Sequence, residues 1–328
     1  MDVHMNMNNS FTEVNKPLSQ ANMLDFLRQE GVSEKIVSEI EYFRKHYAVS
    51  DSEKSRICQP LFQYYGKEVW EEAAAAILAG ENILLDGPKA TGKNVLAQGL
   101  SAAFGRPSWD VSFYINIDAE TLIGADTFED GAVKLRKGPI FRVAEEGGFG
   151  ILDEINMAKN ESLAVLHEIL DFRRQIDVPG YGRLSLHEAT RFIGTMNYGY
   201  AGTREVNEAL ASRFMVIRMP VISLENLEKL IRTQFPGVKA EYIHQFALLF
   251  DEIRKKSESG EISTKALDLR GLLAALRLVG RGLPVGKALE LGMANKCFDA
   301  YERQLVLDLM AVRIPGKLKA EDICHGGN

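Results

Sequence analysis

The run Gly87-Pro88-Lys89-Ala90-Thr91-Gly92-Lys93-Asn94 places two glycines and a lysine where chemistry on a phosphate would need them. It follows the strand-like segment NILLDG and opens a helix-like stretch at 94–104. In that setting glycines let the backbone curl until several N–H groups face phosphate oxygens. The following helix, with Asn94 and Val95 at its start, adds its positive end. Lys93 is placed to reach the terminal phosphates. This is the Walker A pattern of a nucleotide loop, with one departure. Asn94 stands where the pattern has Ser or Thr, whose hydroxyl gives magnesium an oxygen. The Asn carbonyl is also a hard oxygen, on a longer arm. Direct ligation of Mg²⁺, ligation through water and a weakened metal site are all open.

Further along, FGILDE (149–154) reads as an apolar strand ending in two acids. A parallel strand can bring Asp153 beside the phosphate loop, to hold magnesium through a shell water. Glu154 would then orient or deprotonate an attacking water. The bland alternative is an acidic helix cap, and Asn156 or Asn160 could cap the next helix. The next strand-like run, ATRFIGTMN (189–197), carries Thr195 and Asn197 at its end. Polar side chains there are costly unless bonded. Asn197 is the better candidate to position the water, although asparagine also suits the turn with Tyr198 and Tyr200. Arg213, in NEALASRF, could enter a neighbouring subunit's phosphate site and offset charge during transfer. Its alternative is a surface ion pair, and Arg204 is a weaker second candidate.

These residues need elements to hold them. Strands alternate with helices at 82–87, 111–117, 148–154, 189–197 and 214–220, which predicts a parallel sheet covered on both faces. Helices are expected at 21–29, 33–47 and 68–78 ahead of it, and at 161–170 within it. Residues 173–188 read as a hairpin around Pro179-Gly180. Beyond Pro220 the pattern is helical only, at 225–234, 241–256, 263–279, 285–301 and 302–312. The organisation is an N-terminal helical extension (1–59), an α/β core (60–222), a helical domain (223–315) and a polar tail (316–328).

The 328 residues suffice for two domains. Lys and Arg number 39 against 45 Asp and Glu, a net charge of −6, which argues against a general nucleic-acid coat. Three scattered cysteines form no disulfide framework and fit a reducing cytosol. No apolar stretch reaches the roughly 18–20 residues of a membrane span, and the start lacks the pattern of a secretory signal. His167-Glu168 is not a zinc motif, because Asp171 stands where a second histidine belongs. Lys134, Arg136 and Lys137 read as a solvated loop.

Together these segments resemble the AAA+ ATPases, specifically the MoxR-like and dynein-related branch with the NorQ, CbbQ and GvpN types. GPKATGKN, ILDEINMA and IGTMNYGYAGTREVNEALASRF carry the resemblance, which covers roughly residues 60–310. LIGADTFEDGAVKLRKGPIFRVAEEGG matches the stretch where this branch has an insert, and the hairpin near Pro179 resembles a pre-sensor insertion. The resemblance implies a P-loop αβα core followed by a helical lid, with ATP and Mg²⁺ bound between them. It makes Asn197 sensor 1 and Arg213 the arginine finger. The lid cation is Arg270 or Lys265, in a stretch where relatives often have arginine at the Lys265 position. It further implies a homo-oligomeric ring, expected to be hexameric, that remodels a protein client or inserts a metal, the partner having a von Willebrand A domain in related systems. Asn94 keeps open an ATP-binding scaffold with little turnover. A nucleic-acid-stimulated motor is the other alternative, and both the acidic balance and the absence of a recognition motif speak against it.

Overall fold

In the computed structural model, which describes residues 20–197 and 205–325, the strand-like runs pair as one parallel sheet. Ahead of it come α1 (Gln20–Gln29), α2 (Glu34–His46) and α3 (Lys67–Leu78). Then follow β1 (Ile83–Asp86), α4 (Lys93–Ala103), β2 (Ser108–Ser112), α5 (Ala119–Ile123), β3 (Gly124–Glu129), β4 (Ala132–Lys137) and α6 (Pro139–Glu146). After them come β5 (Phe149–Asp153), α7 (Asn160–Ile169), β6 (Gln175–Val178), β7 (Gly182–Ser185), β8 (Arg191–Met196), α8 (Glu208–Ala211) and β9 (Met215–Arg218). The sheet order is β2-β5-β8-β1-β9, every neighbouring pair parallel. Strands covered on both faces need apolar side chains on both. In β1, Ile83 and Leu85 enter one apolar cluster and Leu84 the other; in β5, Phe149 and Ile151 oppose Leu152. The fold is therefore the α/β P-loop architecture, with helices on both faces of a parallel sheet.

The first two helices belong to this core. Met23, Phe26, Leu27, Val37, Ile40 and Phe43 join the cluster that holds Ile83 and Leu85. A helical pattern predicts such helices but says nothing about which surface they cover. Buried arginines tie them down. Arg44 donates to the carbonyls of Ala103 (2.6 Å) and Ala102 (2.9 Å) at the end of α4. Arg106, 2% exposed, donates to Gly147 O at 2.8 Å, to Glu146 O at 3.3 Å and to Tyr47 O. Each carbonyl left without a donor in a buried place costs about 1–3 kcal/mol. Relief of the buried charge, which burial has pushed down to a pKa of about 10, offsets part of that. Arg106→Ala is expected to lower unfolding stability by on the order of 3 kcal/mol in urea titrations. A loss near zero would mean that water satisfies those carbonyls.

Two stretches here differ from the expectation, and a third matches it. The second strand is Ser108–Ser112, not 111–117, because its partner β5 ends where Ser112 pairs with Asp153. Tyr114 and Ile115 beyond it are exposed. The stretch containing Lys134, Arg136 and Lys137 is not a loop but the strand β4 of a hairpin. Its turn is Asp130-Gly131, with φ of 54° and 77°, the residue pair that such two-residue turns favour. The hairpin expected near Pro179 forms as β6 and β7, and Tyr181 at its tip donates to Asp126 of β3 at 2.8 Å.

The chain divides into two compact units between Pro220 and Val221. The second contains α9 (Leu224–Gln234), α10 (Ala240–Glu258), α11 (Leu269–Gly280), α12 (Val285–Gly292), α13 (Ala300–Arg313) and α14 (Ala320–Ile323). The helix expected at 263–279 starts only at Leu269, because the Ser263 amide and hydroxyl are taken by the Glu302 carboxylate at 3.0 and 2.8 Å. The helix expected at 285–301 breaks after Gly292. There α11 and α12 touch so closely that a Cβ on Gly271 would lie 2.0 Å from the Gly292 carbonyl oxygen. Among the described residues no helix is long and apolar enough to cross a membrane.

Candidate active site

The glycine loop bridges β1 and α4. Gly87 has no room for a side chain: a Cβ there would stand 3.0 Å from both the Cβ and the carbonyl oxygen of Met219. Gly92 precedes α4 with φ 85°, a left-handed value that glycine holds without strain. Ala90 is also left-handed, at φ 65°. Thr91 Oγ1 donates to Pro88 O at 3.0 Å, bracing the turn. Lys89 is exposed, and the Val95 side chain packs on the core. The Val95 N–H is one of the four donors a helix start leaves without a helical partner.

Lys93 folds back over this loop. Its Nζ donates to Gly87 O and Pro88 O, both at 2.8 Å, and lies 3.4 Å from Thr91 Oγ1. The residue is only 7% exposed. Burial pulls its pKa down to about 8, against the opposing pull of Asp86, Asp153 and Glu154. A lysine in carbonyl contacts beside three carboxylates is poised to exchange those carbonyls for phosphate oxygens.

The loop meets the acids directly. Asn94 Nδ2 donates to Asp153 Oδ2 at 3.0 Å. A carboxylate only accepts, so the amide nitrogen must face Asp153 and the carbonyl oxygen turns away from it. Thr195 Oγ1 donates to Asp153 Oδ1 at 2.6 Å and accepts from Glu154 N at 3.1 Å. Asn197 Nδ2 donates to Glu154 Oε1 at 3.1 Å. Asn156 does not cap a helix; its Nδ2 donates to Asn197 O at 2.5 Å. Residue 159 precedes α7 instead, without a side-chain cap. Glu154 itself is exposed, so its carboxylate can meet a water and a phosphate.

Among the described residues no group of three or more His, Cys, Asp or Glu would hold an ion alone. The donors near the loop are hard oxygens of Asp153 and Asn94. That set fits magnesium, which keeps waters and phosphate oxygens and takes one or two protein ligands.

The other candidates have contacts of their own. Arg213 is half-buried, with Nη2 3.7 Å from Asp171 Oδ2 and Nη1 donating to Ala209 O. Its Nε has no partner among the described residues. Asp171 is itself held by Arg173 Nε at 2.9 Å. Lys265 and Arg270 lie in the second unit and are exposed, Lys265 with Nζ 5.5 Å from the Phe298 ring centre and Arg270 in the first turn of α11. Arg204, Tyr198 and Tyr200 lie outside the described residues. One group was overlooked in the sequence. Asp86 ends β1 immediately before the loop, its Oδ1 is buried without a partner among the described residues, and burial raises its pKa against the pull of Lys93. A charged residue closing an apolar strand beside the glycine loop was the available signal.

Residues 82–214 match the AAA domain of the dynein-related subfamily. The chain is 30% identical over 285 residues to the uncharacterized protein YojN of Bacillus subtilis (strain 168), covering 85% of this chain and 92% of that one. An uncharacterized protein of Staphylococcus haemolyticus (strain JCSC1435) is 34% identical over 247 residues, 73% of this chain and 93% of the relative. A crystal structure from Cytophaga hutchinsonii covers 90% of this chain at 16% identity and a TM-score of 0.41, too weak a likeness to bear on fold or function.

Proposed function

This chain is a dynein-related AAA protein of the family that includes YojN, and on that premise we propose that it hydrolyses ATP to act on a partner protein. The observation that carries the proposal is the hydrogen bond from Asn94 to Asp153. It joins the phosphate loop to the acid pair across 59 residues of sequence, so that one phosphate chain could meet both.

In this mechanism the loop amides and α4 start hold the phosphates, and Lys93 leaves the Gly87 and Pro88 carbonyls for the terminal phosphate oxygens. Glu154, oriented by Asn197, accepts a proton from water. The water oxygen bonds to the γ-phosphorus, the bond to the β–γ bridging oxygen breaks, and ADP and phosphate leave. Asp153, with phosphate and water oxygens, would hold magnesium, joined by the Asn94 carbonyl oxygen once that amide leaves Asp153, and the ion would supply positive charge against the triphosphate. Lys93 and an arginine stabilise the charge on the transferring group.

That arginine is Arg213 of a neighbouring copy. What supports this is that its own partners are Ala209 and Asp171 rather than the acid pair. The working form is then a homo-oligomeric ring, hexameric by resemblance, acting in the cytoplasm as a MoxR-like chaperone. Its client is a protein that it remodels, activates or loads with a metal, with a von Willebrand A domain protein as the first to test. Arg270, or Lys265 in its place, is the cation of the helical unit that reads the nucleotide's phosphate state.

Steady-state phosphate release with Mg²⁺, alone and with the candidate partner, tests the reading. No release above a protein-free control under either condition sinks it. The trans arrangement has its own test. Arg213→Ala and Glu154→Gln subunits are each expected to be inactive, and mixing them should restore turnover, since a mixed interface joins an intact base to an intact arginine. Mixtures as inactive as the separate variants would place Arg213 outside the site.

A further inference from the structure

Resting on that ATPase reading, we propose that Thr195 is the positioning residue that lets two consecutive acids serve one phosphate. Successive residues of a strand point to opposite faces, so Asp153 and Glu154 in plain extended backbone would face apart. The chain departs from extended backbone at Glu154, whose φ of 55° and ψ of 46° are left-handed. A non-glycine residue stays there only when its surroundings over-determine it. Thr195 supplies that constraint. It is fully buried at 0% exposure, in β8, and β1 fixes its place through the pairing of Leu85 with Thr195.

Its single hydroxyl serves both acids. The proton goes to Asp153 Oδ1 at 2.6 Å, because a carboxylate only accepts. The oxygen then accepts the Glu154 N–H at 3.1 Å. One atom thus pins the side chain of the first acid and the backbone of the second. Two residues on, Asn197 holds the Glu154 carboxylate, and Asn156 closes the loop by donating to the Asn197 carbonyl. Thr195 therefore sets where the Glu154 backbone turns, and Asn197 sets where its carboxylate ends. Volume alone would be met as well by valine, so the hydroxyl is what the position uses.

The test compares Thr195→Val, which keeps the shape and removes both bonds, with Thr195→Ser, which restores the hydroxyl. The Val variant is expected to lose about 100-fold in kcat, the cost of a base misplaced by about an ångström, with KM for ATP little changed. The Ser variant should recover most of that loss. A crystal structure of the Val variant should show Glu154 φ leaving the left-handed region. Thr195→Cys, similar in volume and a weak donor, takes the place of valine if that variant does not fold. The proposal is overturned if the Val or Cys variant turns over at the wild-type rate, if Ser is as slow as Val, or if Glu154 keeps its left-handed backbone without the hydroxyl. Failure of the wild type to hydrolyse ATP sinks the ATPase reading by itself. The backbone at Glu154 in the variant still decides the role of Thr195.

Discussion

Glu154→Gln is expected to slow ATP turnover by roughly 10²- to 10⁴-fold, the usual contribution of a positioned general base. Glutamine keeps the length of the side chain, and its amide oxygen can still accept from Asn197 as Glu154 Oε1 does at 3.1 Å. The left-handed backbone at residue 154 is held by the Thr195 hydroxyl through the main-chain N–H, which the substitution leaves in place. Geometry is therefore preserved and only proton acceptance is removed. ATP should bind the variant as it binds the wild type, because the loop and Lys93 are untouched. Phosphate release and the affinity for a fluorescent ATP analogue, measured on the same preparation, separate the two effects. A variant as fast as the wild type would put the base elsewhere. With ATP bound and turnover stalled, the same variant is the form in which a client should remain attached, with ADP as the control.

Lys93→Met is expected to weaken ATP binding on the order of 100-fold, the loss of charge-assisted bonds to phosphate, while leaving the nucleotide-free protein more stable. The sign follows from the direction of the pKa shift. Burial lowers the folded pKa from its ordinary 10.5 to about 8, so between those values the unfolded chain binds more protons. Stability contributed by this group is therefore lowest below pH 8 and rises with pH through that window. At neutral pH the buried charge costs up to about 3 kcal/mol. The bonds to Gly87 and Pro88 return part of this, and methionine should gain about 1–2 kcal/mol in thermal unfolding without nucleotide. Bound phosphate favours the charged lysine and raises its pKa. Wild-type ATP affinity should then fall as pH rises above about 8, with proton uptake visible as buffer-dependent heats of binding. That pH dependence should vanish in Lys93→Met. A wild-type affinity that stays flat from pH 7 to 10 would show that the lysine is already charged in the empty loop.

Much of the site could be read along the chain because its parts are local. A glycine loop between a strand and a helix makes a phosphate cradle from neighbouring residues alone, and two acids closing an apolar strand announce themselves without a fold. The same holds for the alternation of strands and helices that implies a parallel sheet, and for the hairpin around Pro179-Gly180. The Asp130-Gly131 turn was equally local, and the hairpin it makes was there to be found.

Pairings between distant residues were decided only by the tertiary structure. That Asn94 meets Asp153 depended on β5, β8 and β1 lying side by side, an order that sets contacts across about 40 to 60 residues and leaves no trace in local spacing. The left-handed turn at Glu154 and the double use of the Thr195 hydroxyl arise from that same juxtaposition. The sequence marked α1 and α2 as helices, yet the surface they cover belongs to strands far along the chain. Sequence by itself determined which polar groups stand at the glycine loop and at the strand ends; strand order determined which of them touch, because a hydrogen bond is made across space and a pattern is written along the chain.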